Sequence, residues 1–415
     1  MLDFFYKKIH PKIKSQSRLY WQLREWFVIA AINWKRLFDR PKKRKKRVLF
    51  FYVYALGYGG TSSMMQIFAR HLNKEKYETF LMYSDKFDPA TGISIPTDSR
   101  LKYVLDGGVF AIPFDYEKIE KNPPYFIRGM SPNVYKIIKD FDIDLLVATG
   151  AGHADFPFST IKNIPIILLN IFGQPNLQRN IKYHLCISEE VAGKLTPVVP
   201  KEKVKVVYVP SEGPMEAKEQ GRKIRQSLGI PEKDIVFGRI GRNSDGIFDP
   251  IGISAFERAV KEYPHSHYLI VGAAPALQLI QKQKHIPNVH FLPEMGTKEE
   301  LWAFYFAIDV LAHFRHDGES FGLNIVEAMY AGRPVISHKS AIWNAHLEYL
   351  DPSFSFAVEA NDVDGYAKAM KFFAADANRE KISEMGKAAA LKAEKFHIRH
   401  FAPLFEDWVK KSLSN

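Results

Sequence analysis

Two glutamates, Glu319 and Glu327, stand eight positions apart in the run His316 to His338, HDGESFGLNIVEAMYAGRPVISH. An apolar strand-like run, Asp309 to Phe314, precedes them, and Gly332, Pro334 and the strand-like Val335-Ile-Ser follow. A strand, a short loop and a helix N-terminus are implied. The first amides of a helix have no intrahelical acceptor and carry the positive end of its dipole, which favours an anion. Phe321, Gly322 and Leu323 are placed to offer amides to a phosphate, Gly322 removing the side chain that would block close approach. Glu327 lies roughly 9 Å further along the axis at 1.5 Å per residue, and a carboxylate accepts from two hydroxyls at once, which suits a sugar diol attached to that phosphate. The competing account makes Glu327 a solvated helix residue and Ser320 an N-cap.

The elements that would position these groups repeat along the chain. Val48 to Tyr54 is a continuous apolar run, as in a strand covered on both faces, and it leads through Gly57-Tyr58-Gly59-Gly60 into a helix-like Ser62 to Leu72. That is a strand, glycine loop and helix as expected of a nucleotide-binding α/β unit, without the spacing of the dinucleotide fingerprint, and a tight turn with no ligand is the alternative. Thr79 to Tyr83, Leu145 to Ala148, Pro165 to Leu169 and Val204 to Val209 read as further strands, so a parallel sheet with crossovers is predicted. The glycine- and proline-rich stretch 84–130 gives no clear pattern. Gly150-Ala-Gly-His153 follows a strand end, where α/β sites form, and His153 there is able to donate a hydrogen bond to a ligand. Asp142-Ile-Asp144 precedes its strand, which fits turn chemistry better than metal binding.

The 415 residues allow two domains, with ordinary hydrophobic (46%) and charged (25%) fractions. The single cysteine, Cys186, excludes a disulfide framework or multi-cysteine metal site and fits a reducing compartment. Net charge is +12, and residues 1–47, with fifteen Lys and Arg against three acids, account for all of it. Trp21, Trp26, Phe27, Trp34 and Phe38 lie among helically spaced polar residues ahead of the cluster Arg40 to Arg47. The seven-residue apolar run Trp26 to Ile32 is too short for a membrane span, which needs roughly 20. An interfacial helix on an anionic membrane is expected, with packing on the body or non-specific nucleic-acid contact as alternatives.

With Glu319, the seven residues between, Glu327-Ala-Met329 and Ala331-Gly-Arg-Pro-Val335 in hand, the chain resembles the retaining, GT-B-fold nucleotide-sugar glycosyltransferases of family four. The resemblance implies an α/β fold of two Rossmann-like domains facing a cleft: an N-terminal acceptor domain at 48–212, a nucleotide-sugar domain at 213–388, and a C-terminal helix at 389–415 returning to the first, after an amphipathic extension at 1–47. It implies a nucleotide diphosphate sugar as donor, no cofactor and no metal, and a glycan or lipid-linked acceptor. Glu319 would contact the transferred sugar, Glu327 the ribose, Gly59 and Gly60 the cleft near the donor phosphates, His153 the sugar, and Pro293 and Met295 the base. The family usually has Gly-Arg after the strand at Ile235 and a lysine six residues beyond the arginine. Here Asp245 follows Arg239 at that distance and Phe248 follows Arg242, so Arg242 is assigned to the phosphates with Arg239 in reserve. A cytoplasmic enzyme peripheral to a membrane is expected. A sugar-nucleotide epimerase or phosphorylase of the same fold, or a catalytically silent binding or scaffold protein, are the alternatives.

Overall fold

The computed structural model describes residues 44–52, 55–57, 59–84, 98–114, 137–138, 140–150 and 161–414. His153 and residues 1–43, with the expected membrane helix, lie outside them.

Seven parallel strands make the first sheet: β1 (Lys46–Phe51), β2 (Tyr77–Ser84), β3 (Val109–Phe114), β4 (Leu145–Gly150), β5 (Ile166–Asn170), β6 (Ile181–Cys186) and β7 (Val204–Val206), in the order β3-β2-β1-β4-β5-β6-β7. The second unit contains β8 (Ile235–Ile240), β9 (Ser266–Val271), β10 (Val289–Leu292), β11 (Val310–Ala312), β12 (Gly318–Glu319), β13 (Val335–His338), β14 (Trp343–Asn344) and β15 (Ser355–Val358). Six of these form a parallel sheet ordered β10-β9-β8-β11-β13-β15, while β12 and β14 make a separate short ladder pairing Gly318 with Trp343 and Glu319 with Asn344. Strands sealed on both faces need apolar side chains throughout, and Val48, Leu49, Phe50 and Phe51 are accordingly all buried.

Each sheet reverses its winding once, between β1 and β4 and between β8 and β11, and open α/β sheets bind ligands beyond the carboxyl ends of strands at such switch points. The loops after β1, β8 and β11 therefore become the walls of one site. The chain crosses between the units twice, and the crossings pair: Ser211 N–H donates to Phe396 O at 2.9 Å and Ile398 N–H to Ser211 O at 2.8 Å. The last helix, Ile398–Ser414, lies on the first unit, with Phe405 stacked on Phe68 at 4.4 Å between centroids and Lys76 paired to Glu406 at 2.7 Å.

Cys186 is fully buried, and burial pushes its thiol up to about 12, so it is an inert packing residue. Asp142 sits at a turn with φ 40°, and the Asp144 carboxylate accepts from Arg47 N–H at 2.8 Å and from the Arg44 guanidinium at 2.7 Å. The Arg47 guanidinium is buried against Glu78 at 2.7 Å, and the Lys45 ammonium donates to Lys74 O at 3.0 Å. With Lys46 Nζ 3.3 Å from Asp144 Oδ1, the last four cations of the basic cluster, Arg44 to Arg47, are engaged by the folded body.

Candidate functional site

The short ladder of β12 and β14 presents Glu319, and three residues later the chain enters the helix Leu323–Tyr330. Ser320 is not its cap. The N-cap is Gly322, at φ 88° and ψ 62°, a left-handed conformation that glycine adopts without steric cost. The Tyr349 hydroxyl donates to Phe321 O at 2.5 Å and lies 3.1 Å from Gly322 O; a Cβ on Gly322 would come within 3.0 Å of it. The carbonyls at the helix entrance are thereby held while its leading amides face the cleft. The helix Gly60–His71 begins directly opposite, since a Cβ on Gly60 would lie 3.6 Å from Leu323 Cβ. Two helix N-termini from different units thus meet at one point, and both favour an anion.

Burial raises Glu319 above the ordinary carboxylate range, against the pull of Arg315. Its Oε1 lies 3.4 Å from His313 Nε2 and 3.7 Å from Arg315 Nη1. The Asn324 amide nitrogen donates to Ile240 O at 3.1 Å and lies 3.3 Å from His313 Nδ1, while Asn324 Oδ1 accepts from Ile325 N–H at 3.0 Å. With that orientation Nδ1 is the acceptor and the proton belongs on Nε2, facing Glu319. Burial, reinforced by His346 and His338, keeps His313 well below its usual pKa and hence neutral.

Glu327 is pushed up to about 7 by burial, opposed by the hydrogen bond from Tyr305 and by Arg100 and Lys298. It is not a solvated helix residue. Its Oε2 accepts from the Tyr305 hydroxyl at 2.9 Å, and Tyr305 is itself fully buried in the helix Lys298–Ala307.

Four guanidiniums line the same cavity, Arg100 from the first unit and Arg239, Arg242 and Arg315 from the second. Arg239, 3% exposed, donates through Nη1 to Gly272 O at 2.9 Å and lies 4.9 Å from the Phe314 ring centroid. Arg242 follows the end of β8 and is exposed. Arg315 follows β11 and holds Asp317, with Nη2 2.8 Å from Oδ2. Asp245, where the family pattern expects lysine, accepts from Ala276 N–H at 2.9 Å and so caps the helix Pro275–Lys284.

The cavity encloses about 520 Å³ between the units. Gly59, Gly60, Arg239, Arg242, Met295, Glu319, Phe321, Gly322, Leu323 and Glu327 all line it. Pro293 is exposed and outside the wall, and its neighbour Glu294 lines the cavity instead. His313, Arg315, Tyr305 and Arg100 were missed by the sequence reading, along with Trp343 and Phe172, whose rings meet at 5.9 Å. Only Arg315 left a local signal, a cation directly after a buried strand run. A second cavity, of about 610 Å³, lies at the other end of the Leu323–Tyr330 helix, near Tyr330 and Arg333. It lacks the paired helix N-termini and the glutamates. Among the described residues no group of three or more His, Cys, Asp or Glu is placed to hold a metal ion.

Two Rossmann-like units with parallel sheets around a cleft are the GT-B fold, and residues 220–391 match the family described as glycosyl transferases group 1. The chain therefore has a GT-B framework whose second unit resembles the group 1 glycosyl transferases. Among proteins of known activity it is similar to the D-inositol 3-phosphate glycosyltransferase of Streptomyces avermitilis, 34% identical over 108 residues, 26% of this chain and 22% of that one. The enzyme of the same name from Corynebacterium kroppenstedtii is 25% identical over 202 residues, 45% of this chain and 44% of its own. The chain thus spans less than half the length of the curated relatives it matches. Among solved structures it is similar to Anabaena HepE in complex with UDP and glucose, with a TM-score of 0.68, 17% identity, and coverage of 88% of this chain and 100% of that one.

Proposed function

We propose that the chain is a retaining glycosyltransferase of the family-four type, moving a hexose from a nucleotide diphosphate sugar to a glycan or lipid-linked acceptor without a metal. The observation that carries this reading is the meeting of two helix N-termini, two buried glutamates and four guanidiniums in one cavity between the units. The donor diphosphate sits against the amides of Gly322 and Leu323 with Arg242, which stabilise the charge that develops as the anomeric C–O bond breaks. The acceptor hydroxyl attacks from the same face, and its proton passes to the departing phosphate oxygen. Glu319, steadied by neutral His313, contacts the hydroxyls of the transferred sugar, and Glu327 holds the ribose diol. Pro293 and Met295 belong to the loop assigned to the base, and His153 is assigned to the sugar. The domain assignment stays at 48–212 for the acceptor, 213–388 for the nucleotide sugar and 389–415 for the returning helix.

The capping role of Asp245 favours one second reading, a silent sugar-nucleotide-binding protein, because the family's lysine is not merely absent but replaced by an anion. Acceptor-dependent release of free nucleotide diphosphate, screened over UDP-, GDP- and ADP-sugars with lipid and glycan fractions as acceptors, separates the two. Release with retained anomeric configuration in the product supports the transferase; tight donor binding with no release in any combination rejects it.

No helix among the described residues is long and apolar enough to cross a membrane. We assign residues 18–47 to a cytoplasmic, anionic membrane surface, on the aromatic and cationic pattern of that stretch. Deleting residues 1–43 should abolish sedimentation with anionic liposomes and leave nucleotide binding intact; equal sedimentation with and without the segment would reject the assignment.

A further inference from the structure

Resting on that reading of the cleft, we propose that Arg315 is the second cation that holds the donor diphosphate, in the role the absent lysine would fill. Arg315 leaves the end of β11 at the switch point of the second sheet, where anionic ligands of such sheets collect. Asp317 occupies its Nε and Nη2 edge, which fixes the plane of the guanidinium and leaves Nη1 on the side of Glu319 and the cavity. An arginine held in that way presents donors in a rigid fork matched to phosphate oxygens.

Arg239 gives independent support. Its guanidinium is buried, no carboxylate lies within 4 Å of it among the described residues, and its Nε has no hydrogen-bond acceptor. Arg239, Arg242 and Arg315 therefore crowd one wall with Asp317 and Glu319 as the nearby acids, a mutual repulsion that a diphosphate relieves. Asp245 does not occupy that space, because its Oδ1 accepts from Ala276 N–H at the start of another helix. The cation lost from the loop after β8 is thus supplied from the loop after β11.

The test is calorimetric titration of the full chain with UDP, GDP and ADP, and with the nucleoside of whichever diphosphate binds. Arg315→Met should weaken the diphosphate roughly 10- to 100-fold, as for loss of a charge-assisted hydrogen-bonding partner, and leave the nucleoside unchanged. Arg315→Lys should recover part of the loss. The double variant Arg315→Met, Asp317→Asn, which removes the carboxylate left unpaired, should not recover it. Equal diphosphate affinity in Arg315→Met, recovery in the double variant, or an equal loss for the nucleoside would each overturn the role of Arg315. Failure of the unsubstituted chain to bind any of the three diphosphates would instead reject the donor site itself, and this role with it.

Discussion

Tyr305 and Glu327 are joined by a 2.9 Å hydrogen bond between the phenol and Oε2, which ties the middle of the motif helix to the helix Lys298–Ala307. One lone pair of the carboxylate is spent on this contact and the others remain for a ligand. Glu327→Gln keeps the shape and the phenol's acceptor but offers a diol only one carbonyl oxygen. Donor affinity should fall about tenfold, the scale of a hydrogen bond to a charged group. Calorimetry with a bound nucleotide sugar checks this, and undiminished affinity in a folded variant would sink the ribose assignment.

The same carboxyl should make stability depend on pH. Its folded pKa of about 7 lies above the ordinary 4.5, so between those values the folded chain holds a proton that the unfolded chain has released. Unfolding free energy therefore falls as pH rises from 4.5 to 7, by up to ~3 kcal/mol from this group. Urea denaturation of Glu327→Gln across that window should show a shallower decline than the unsubstituted chain and higher stability at pH 8. Parallel curves for the two proteins would contradict the raised pKa.

Gly322 is a second point where backbone and site cannot be separated. Gly322→Ala forces a side chain onto a residue at φ 88° and against the Tyr349 hydroxyl, at a cost of about 1–3 kcal/mol. A lower urea midpoint is expected together with weaker binding of nucleoside diphosphate, because the amides move with the strained carbonyls. Tyr349→Phe, which removes the hydroxyl without adding strain, should weaken nucleotide binding less; an effect on stability alone in both variants would detach this turn from the anion.

Across the interface, Glu348 from the second unit accepts from the amides of Glu190 at 2.8 Å and Glu189 at 3.0 Å, capping the helix Glu189–Leu195 of the first. Glu190 answers by accepting from Asn344 N–H at 2.8 Å. Glu348→Ala removes a charged cap that spans the cleft and should favour a more open arrangement. Small-angle scattering should show a larger radius of gyration in the nucleotide-free variant, and superimposable curves would mean that the units are held elsewhere.

Much of this protein was readable from local pattern. The strands β1, β2, β4 and β5 appear as apolar runs because parallel strands are sealed on both faces, so every position reports burial. β3 and β6 were not called, since Phe110 and Tyr183 are only partly buried and Lys182 interrupts the run. The reading of Ser320 as a cap failed because capping depends on backbone angles, and the turn placed the helix start beyond Gly322. The neutral His313 and its orientation by Asn324 were invisible, because each depends on burial by segments far away in the chain.

What the sequence by itself determined is the spacing of Glu319, Gly322 and Glu327 across one helix start and the parallel α/β framework behind it, since both follow from helical and strand periods within single segments. Tertiary structure decided the electrostatics: which carboxyls have a raised pKa, which aspartate is spent as a helix cap, and which arginine faces the cleft. Those properties are set by desolvation and by partners such as Tyr305 for Glu327 and Ala276 for Asp245, brought together only when the separated loops converge.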